Sequence, residues 1–319
     1  MRIAPALAVI ALLAGSGTAQ LPLPPRTAPP GLAIATSAEL APVLRRVAQA
    51  FEARRPGAHV TIAGVGSDVA MADLYAGRAD LAVIGRRAFE PEAKAYEWIY
   101  HHPPRATAVM RGSVATAGHS PAVAVLVNAA NPAGSISLDQ LRAAFRGAQA
   151  PRWGDLGARD RFAARPVHPI MPDSEQGTGR FLRHVLFADA TLFAWDRVRE
   201  VAEPLHRDGT ADRNGGRIAT MVARDPDALA LTPGPAIAGT RTIPIRIDGV
   251  AVSPDPRSVA EGRYPLARSI YAYGDPHPSA EARGFLRFLL GPAGREAIAA
   301  GPYLPLPAAD AEAALKEID

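Results

Sequence analysis

Residues 32–84 read LAIATSAELAPVLRRVAQAFEARRPGAHVTIAGVGSDVAMADLYAGRADLAVI. Leu32 to Ala35 is an apolar run of strand length. Thr36 and Glu39 follow at capping-box spacing, and Leu40, Val43, Leu44, Val47 and Phe51 then recur on one helical face. His59 to Ala63 reads as a second strand, ending in Gly64-Val65-Gly66-Ser67. A helix from about Val69 to Tyr75 follows, stopped by Gly77, and Asp80 to Ile84 is a third strand. Strand alternating with helix predicts an α/β architecture with largely parallel strands.

The same grammar continues downstream. Ala122 to Val127 is a continuous apolar run and reads as a buried strand. Ser137 N-caps a helix running to Phe145, and Pro166 to Met171 is a strand. Gly177-Thr178 opens a helix whose apolar face carries Phe181, Leu182, Val185 and Leu186. A helix begins at Gly216, and Ala228 to Leu231 and Ser269 to Tyr273 are strands. Ser279 to Leu290 is amphipathic, with Ala282, Phe285, Leu286 and Leu289 on one side. No internal repeat of solenoid length is evident.

The 319 residues suggest about two domains. Hydrophobic residues make up 48% and aromatics only 6%, so the core is expected to be aliphatic and rich in Ala. The formal charge is +4, with both signs interspersed, and no basic run interleaved with aromatics points to nucleic acid. With no cysteine, lipid attachment through Cys, disulfides and thiolate metal sites are excluded. Arg2 followed by the apolar Ala6 to Ala14 reads as a signal peptide over 1–19, cleaved before Gln20 after the small residues Gly17 and Ala19. A Pro-rich leader over 20–30 follows, and the mature chain is expected in the periplasm.

Three loops share one design: a strand ends, small or hydroxyl residues follow, and a helix begins. They are Thr36-Ser37-Ala38, Gly64-Val65-Gly66-Ser67, and Ser174-Glu175-Gln176-Gly177-Thr178. Each offers backbone N–H groups at the positive end of a helix dipole, and such loops at the carboxyl ends of strands can converge on an anion. For any one loop the plainer alternative is a helix cap alone, which Thr36 with Glu39 fits well. No metal-ligand spacing appears; His101-His102 cannot share a helical or strand face, and no cofactor fingerprint is present. Trp153 reads as a packing residue.

Several stretches resemble, in the same order along the chain, the periplasmic phosphate-binding (PstS-like) family of ABC-importer binding proteins. They are Gly64 to Ser67 with Leu74, Gly77 and Asp80; Gly85-Arg86 with Glu92; and Val127-Asn128 with Asn131-Pro132, Leu138, Leu141, Phe145-Arg146-Gly147 and Trp153 to Gly157. The series ends with Ile247 to Val250, Gly262 to Leu266 with Arg268, Gly291 to Gly294, and Gly301 to Pro307. The resemblance implies a two-lobed periplasmic-binding-protein type II fold, each lobe a mostly parallel sheet flanked by helices. Lobe 1 would comprise 31–118 and 267–319, and lobe 2 would comprise 119–266. It implies a monomer that binds phosphate or a related oxyanion, needs no cofactor or metal, is not an enzyme, and delivers its ligand to an inner-membrane permease.

The resemblance places ligand contacts at Ser37, Ala38, Glu39, Ser67, Arg86, Ser174, Gln176, Gly177 and Thr178. It also exposes departures. Pro172 stands where the family places an arginine, Gln176 replaces a serine, Glu39 a threonine and Asp68 a glycine. Loss of a bidentate arginine removes a geometry-matched anion contact, which Arg86 or Arg87 could replace. Glu39 could instead cap its helix, and Asp68 could face solvent. Two alternatives therefore remain: a re-specialised member with a different ligand, and a hydrolase using Ser67 or Ser174. The second lacks a histidine near either serine in sequence.

Overall fold

The computed structural model describes residues 23, 25–116, 119–147, 149–188, 194, 196–202 and 214–318. The signal peptide and the start of the leader lie outside them. The first half of the chain lays down β1 (Leu32–Thr36), α1 (Ala41–Glu52), β2 (Val60–Gly64), α2 (Ser67–Tyr75), β3 (Leu81–Ile84), α3 (Glu90–Tyr100) and β4 (Arg105–Arg111). A second unit follows with β5 (Ala124–Asn128), β6 (Ile136–Ser137), α4 (Leu138–Arg146), β7 (His168–Pro172), α5 (Gly177–Phe187), β8 (Arg199–Val201), α6 (Asn214–Arg224) and β9 (Ala228–Thr232). It closes with β10 (Thr240–Ile243), β11 (Ile245–Ile247), β12 (Val250–Val252) and α7 (Pro256–Ala260). The chain then returns through β13 (Ser269–Gly274), α8 (Ala280–Leu290), α9 (Pro292–Ala299), β14 (Leu304–Pro305) and α10 (Ala308–Ile318).

The strands assemble into two larger sheets, β14-β4-β13-β3-β1-β2 and β10-β5-β9-β7-β8, with a small third sheet β12-β11-β6. This is the expected two-lobed α/β fold. The sheets are mixed: β2-β1-β3 and β8-β7-β9 are parallel, whereas β13 and β5 run antiparallel to their neighbours. The cause is the crossing itself. A strand arriving from the other lobe starts at the edge where the βα strands end. In each sheet that arriving strand lies between the third and fourth strands of its lobe, so β2-β1-β3-β13-β4 and β8-β7-β9-β5-β10 follow one plan.

Helices cover both faces of each sheet. In the first lobe α1 and α8 pack Leu44, Val47, Phe51, Phe285 and Leu289 against the sheet, with α9 and α10 beside them, while α2 and α3 bury Met71, Leu74 and Tyr96 on the other face. In the second, Leu141, Phe145, Trp153 and Leu182 lie on one side and Ile218 and Val222 on the other. Trp153 is fully buried and donates its indole N–H to the Asp227 carbonyl, confirming its packing role. His101 closes α3 in a left-handed conformation, and His102 makes tilted ring contacts with Tyr96 and Tyr100, which stack on each other.

Two segments join the lobes, and they hydrogen-bond to each other. Gly112 donates to the Arg268 carbonyl at 2.8 Å, Val123 to that of Leu266 at 3.0 Å, and the Tyr264 hydroxyl to the Val123 carbonyl at 2.8 Å. The paired crossing leaves the lobes free to rotate chiefly about one axis, the arrangement of a hinge.

Candidate functional site

The carboxyl ends of β1, β2 and β3 face the crossing segments, as do those of β7 and β9. The loop after β1 is built on a buried threonine. Thr36 does not cap α1: its hydroxyl donates to the Val83 carbonyl at 2.6 Å, tying β1 to β3. The α1 N-cap is Leu40, with no side-chain bond, so the capping-box reading of Thr36 and Glu39 is overturned. The chain turns too tightly for it, because Leu40 and Ala41 both donate to the Ser37 carbonyl. Glu39 instead reaches the crossing segment, where its Oε2 accepts from the Ser120 amide at 3.2 Å and hydroxyl at 3.1 Å.

The loop after β2 folds onto the first. Val65 and Gly66 both donate to the Thr36 carbonyl, at 2.8 and 3.1 Å. Gly66 takes φ 99°, a conformation that requires glycine, and turns Ser67 into the first turn of α2. Ser67 is half-buried, and Ala38 lies against Gly64. The N–H groups that begin α2 therefore open beside the Ser37–Glu39 turn.

Arg86, at the end of β3, does not supply free positive charge. Its guanidinium is buried and held by Glu92 through two bonds of 2.7 Å, by the Asp68 carboxylate at 2.5 Å, and by the Arg87 carbonyl at 3.0 Å. It also stacks on Phe89, 3.9 Å from the ring centroid. Burial works against its charge, but the bonds and charges of Glu92, then Asp68, outweigh that and raise its pKa above the ordinary guanidinium value. Asp68 is no idle surface group, since its other oxygen accepts from Arg180 of α5 at 3.0 Å.

Across the cleft, Gln176 stands at the N-cap of α5, which its side chain does not cap, and Gly177 and Thr178 form the first turn. Gly179 is required by packing: a Cβ there would lie 1.9 Å from the Asp173 carbonyl oxygen. Ser174 is buried beneath this loop, and its amide donates to Glu200 at 2.9 Å. That N–H is thus used inside the second lobe.

Arg268 joins the two sides, and sequence reasoning gave it no role in binding. It is buried in the returning crossing segment. Its Nε and Nη2 donate to the Gly85 carbonyl at 3.1 and 2.8 Å, and its Nη1 donates to the Thr178 hydroxyl at 3.2 Å. Gly85 permits this approach, because a Cβ there would meet the Ser120 hydroxyl at 2.8 Å and Arg268 at 3.3 Å. Glu39, Ser120, Gly85, Arg268 and Thr178 therefore form one continuous polar seam along the hinge, with Asp68, Arg86 and Arg180 beside it. Pro172, where the resemblance expects an arginine, is a buried strand residue in β7. The only signal for Arg268 in sequence was its position two residues after Leu266, inside the return segment. Arg180 and Ser120 had none.

Elsewhere, His168, Asp225 and Asp227 place ligand-type atoms within 4.8 Å of one another. Arg165 already meets Asp227 at 2.6 Å and His168 meets Asp225 at 2.8 Å, so the protein itself answers these charges. Among the described residues, no helix is long and apolar enough to cross a membrane.

Comparison with known proteins agrees with this architecture. A family model described as a PBP superfamily domain matches residues 19–293. The phosphate-binding protein PstS of Pseudomonas aeruginosa strain PAO1 is 26% identical over 294 residues, covering 88% of this chain and 84% of the relative. PstS of Bacillus subtilis strain 168 is 23% identical over 259 residues, covering 81% and 73%. Among solved structures, an ABC-type phosphate transport receptor from Vibrio cholerae superposes with a TM-score of 0.60 at 19% identity, covering 86% of this chain and 99% of that one. The tungstate-binding protein TupA of Desulfovibrio alaskensis G20 gives a TM-score of 0.52 at 13% identity, covering 87% and 99%. At these identities the structural likeness concerns the fold.

Proposed function

The chain belongs to the PBP superfamily, and on that premise we propose that it is a periplasmic binding protein of an ABC importer that captures phosphate or a related oxyanion between its lobes. The observation that carries this reading is the Arg268–Thr178 bond at 3.2 Å. It sets a buried guanidinium beside the N-terminus of α5, and the seam continues through Gly85 toward the α2 and β1 loops. A cation and helix N–H groups opening on one cleft favour an oxyanion.

In this reading the donors are Arg268, the Thr178 hydroxyl, the N–H groups of Gly177 and Thr178, and the Ser67 hydroxyl with the first N–H groups of α2. The Ser37–Glu39 turn closes one wall, and the Glu39 carboxylate can accept a proton from a protonated oxyanion. Gln176 extends a donor from the rim. Arg86 and Ser174 hold the loops in place. Residues 31–118 with 267–319 form one lobe and 119–266 the other, and closure about the paired crossing segments encloses the ligand. The protein works as a monomer, secreted through residues 1–19, and hands its ligand to an inner-membrane permease. The curated relatives are named as phosphate-binding proteins, which supports binding rather than catalysis.

Isothermal titration of ligand-stripped protein with phosphate tests this reading. The expected result is saturable one-to-one binding at micromolar or lower concentration, lost in Arg268→Ala. No heat and no thermal shift with millimolar phosphate or with any related oxyanion would overturn it.

A further inference from the structure

We infer that the cleft is built for a phosphate carried on a small organic group, a phosphomonoester or phosphonate, in preference to inorganic phosphate. This rests on the oxyanion reading above and assigns the substrate class of that same site.

The observation is a cavity of about 310 Å³ between the lobes, walled by the β3–α3 loop, α5 and the start of β13. It adjoins the polar seam: Ala267 and Ser269 line it on either side of Arg268 in the chain, and Phe181 in its wall lies 5.6 Å from the Arg268 guanidinium. Its volume falls at the lower end of the roughly 300–1,000 Å³ found for small organic ligands. A bare tetrahedral oxyanion held at Arg268 and Thr178 would leave most of that space to water.

The walls have the chemistry of an organic subsite. Phe89, Phe181 and Tyr271 present aromatic rings, and Val185 adds an aliphatic face. Arg180 lies 4.5 Å from the Phe89 centroid and Arg87 lies 5.4 Å from that of Tyr271. Ring faces backed by guanidinium groups suit an uncharged, planar or compact apolar substituent on a molecule whose charge is concentrated at one end. The cations divide accordingly. Arg86 is matched by Glu92 and Asp68, and Arg180 by Asp68, whereas Arg87 has no carboxylate partner among the described residues. Positive charge is therefore left for a ligand at Arg87, and the region between Phe89 and Phe181 is left for its apolar end. Water against those rings makes few hydrogen bonds, so replacing it with a hydrocarbon group is favourable.

The test titrates ligand-stripped wild-type protein with inorganic phosphate, methylphosphonate, propylphosphonate and phenyl phosphate at constant ionic strength. Affinity is expected to rise along that series and to reach at least tenfold over inorganic phosphate with phenyl phosphate. Val185→Trp, which fills the cavity from α5, is expected to cut phenyl phosphate binding at least tenfold while inorganic phosphate changes less than twofold. Its melting temperature serves as the control for folding. Inorganic phosphate binding as well as or better than every organic member would overturn the inference and leave the oxyanion reading standing. Failure of the whole series to bind the wild-type protein would overturn both.

Discussion

Asp68 and Arg180 meet across the cleft, one at the N-terminus of α2 and the other in α5, with Asp68 Oδ2 accepting from Arg180 Nη1 at 3.0 Å. In the proposed reading, the carboxylate thus occupies an arginine beside the ligand, in the manner of a substitute anion. It is 63% exposed, so water screens the pair and its worth is at most about 1 kcal/mol. A ligand oxyanion needs only a modest advantage to displace it. Asp68→Asn removes the competitor and is expected to tighten phosphate binding by roughly two- to fivefold, the equivalent of that energy. Titration at low ionic strength checks this. Weaker binding in the variant would mean that Asp68 accepts a hydrogen from the ligand.

Arg86 has the opposite character. Its side chain is 2% exposed and Glu92, its bidentate partner, 14%. Removing one member of such a pair leaves the other desolvated and unmatched, a loss of about 3 kcal/mol or more. Arg86→Ala is therefore expected to lower the melting temperature by several degrees. Arg86→Ala with Glu92→Leu should recover part of that loss. Thermal melts of the single and double variants decide it, and phosphate affinity in the double variant should stay within a few-fold of wild type.

A pH-dependent contribution sits on the approach to the hinge. Asp255 caps α7, accepting from the Ser258 amide at 2.9 Å, and the Ser258 carbonyl in turn takes the Tyr264 amide at 3.1 Å. The Ser258 backbone N–H holds the Asp255 pKa below the ordinary aspartate value of about 3.9. A carboxylate with a depressed folded pKa stabilises fully above its unfolded value and loses that contribution as pH falls through the folded one. Asp255→Ala is expected to melt earlier than wild type at pH 7, with the gap narrowing below about pH 4. Paired melts at neutral and acid pH test the sign.

The parts of the fold legible in sequence were those with a local signature. β1, α1, β2, α2 and β3 follow directly from the periodicities of residues 32–84, and Ser137 caps α4 as its spacing indicates, with Gln140 completing the box. Residues 122–127 and 269–273 were legible as strands, but the antiparallel direction of β5 and β13 was not, because it is set by which strands they meet and no local pattern encodes that partner. The common plan of the two sheets left no repeat in the sequence for the same reason. At the site, the loops were legible because small and hydroxyl residues mark strand-to-helix turns. Their partners were not: Glu39 finds Ser120 after 81 positions and Arg268 finds Thr178 after 90. Reading Thr36 and Glu39 as a cap was a local explanation for residues whose partners are distant in sequence.

Arg268 carries the most demanding prediction. Its planar fork spans two lobes, with Nε and Nη2 on the Gly85 carbonyl and Nη1 on the Thr178 hydroxyl. A lysine keeps the charge but places it on a single nitrogen, which cannot hold the carbonyl from two directions and reach the hydroxyl as well. If Arg268 supplies the anion contact absent at Pro172, Arg268→Lys should weaken phosphate binding about tenfold or more, and Arg268→Ala about a hundredfold, the scale of a lost charge-assisted hydrogen bond. Thr178→Val should cost less, because the helix N–H groups remain. Were Arg268 only a strut between the lobes, the lysine variant would bind phosphate as wild type does while melting at a lower temperature. Affinity and melting temperature measured on the same preparations separate the two roles. Small-angle scattering adds an independent measure: phosphate should shrink the wild-type radius of gyration as the lobes close, and should fail to do so in Arg268→Ala at concentrations that saturate wild type.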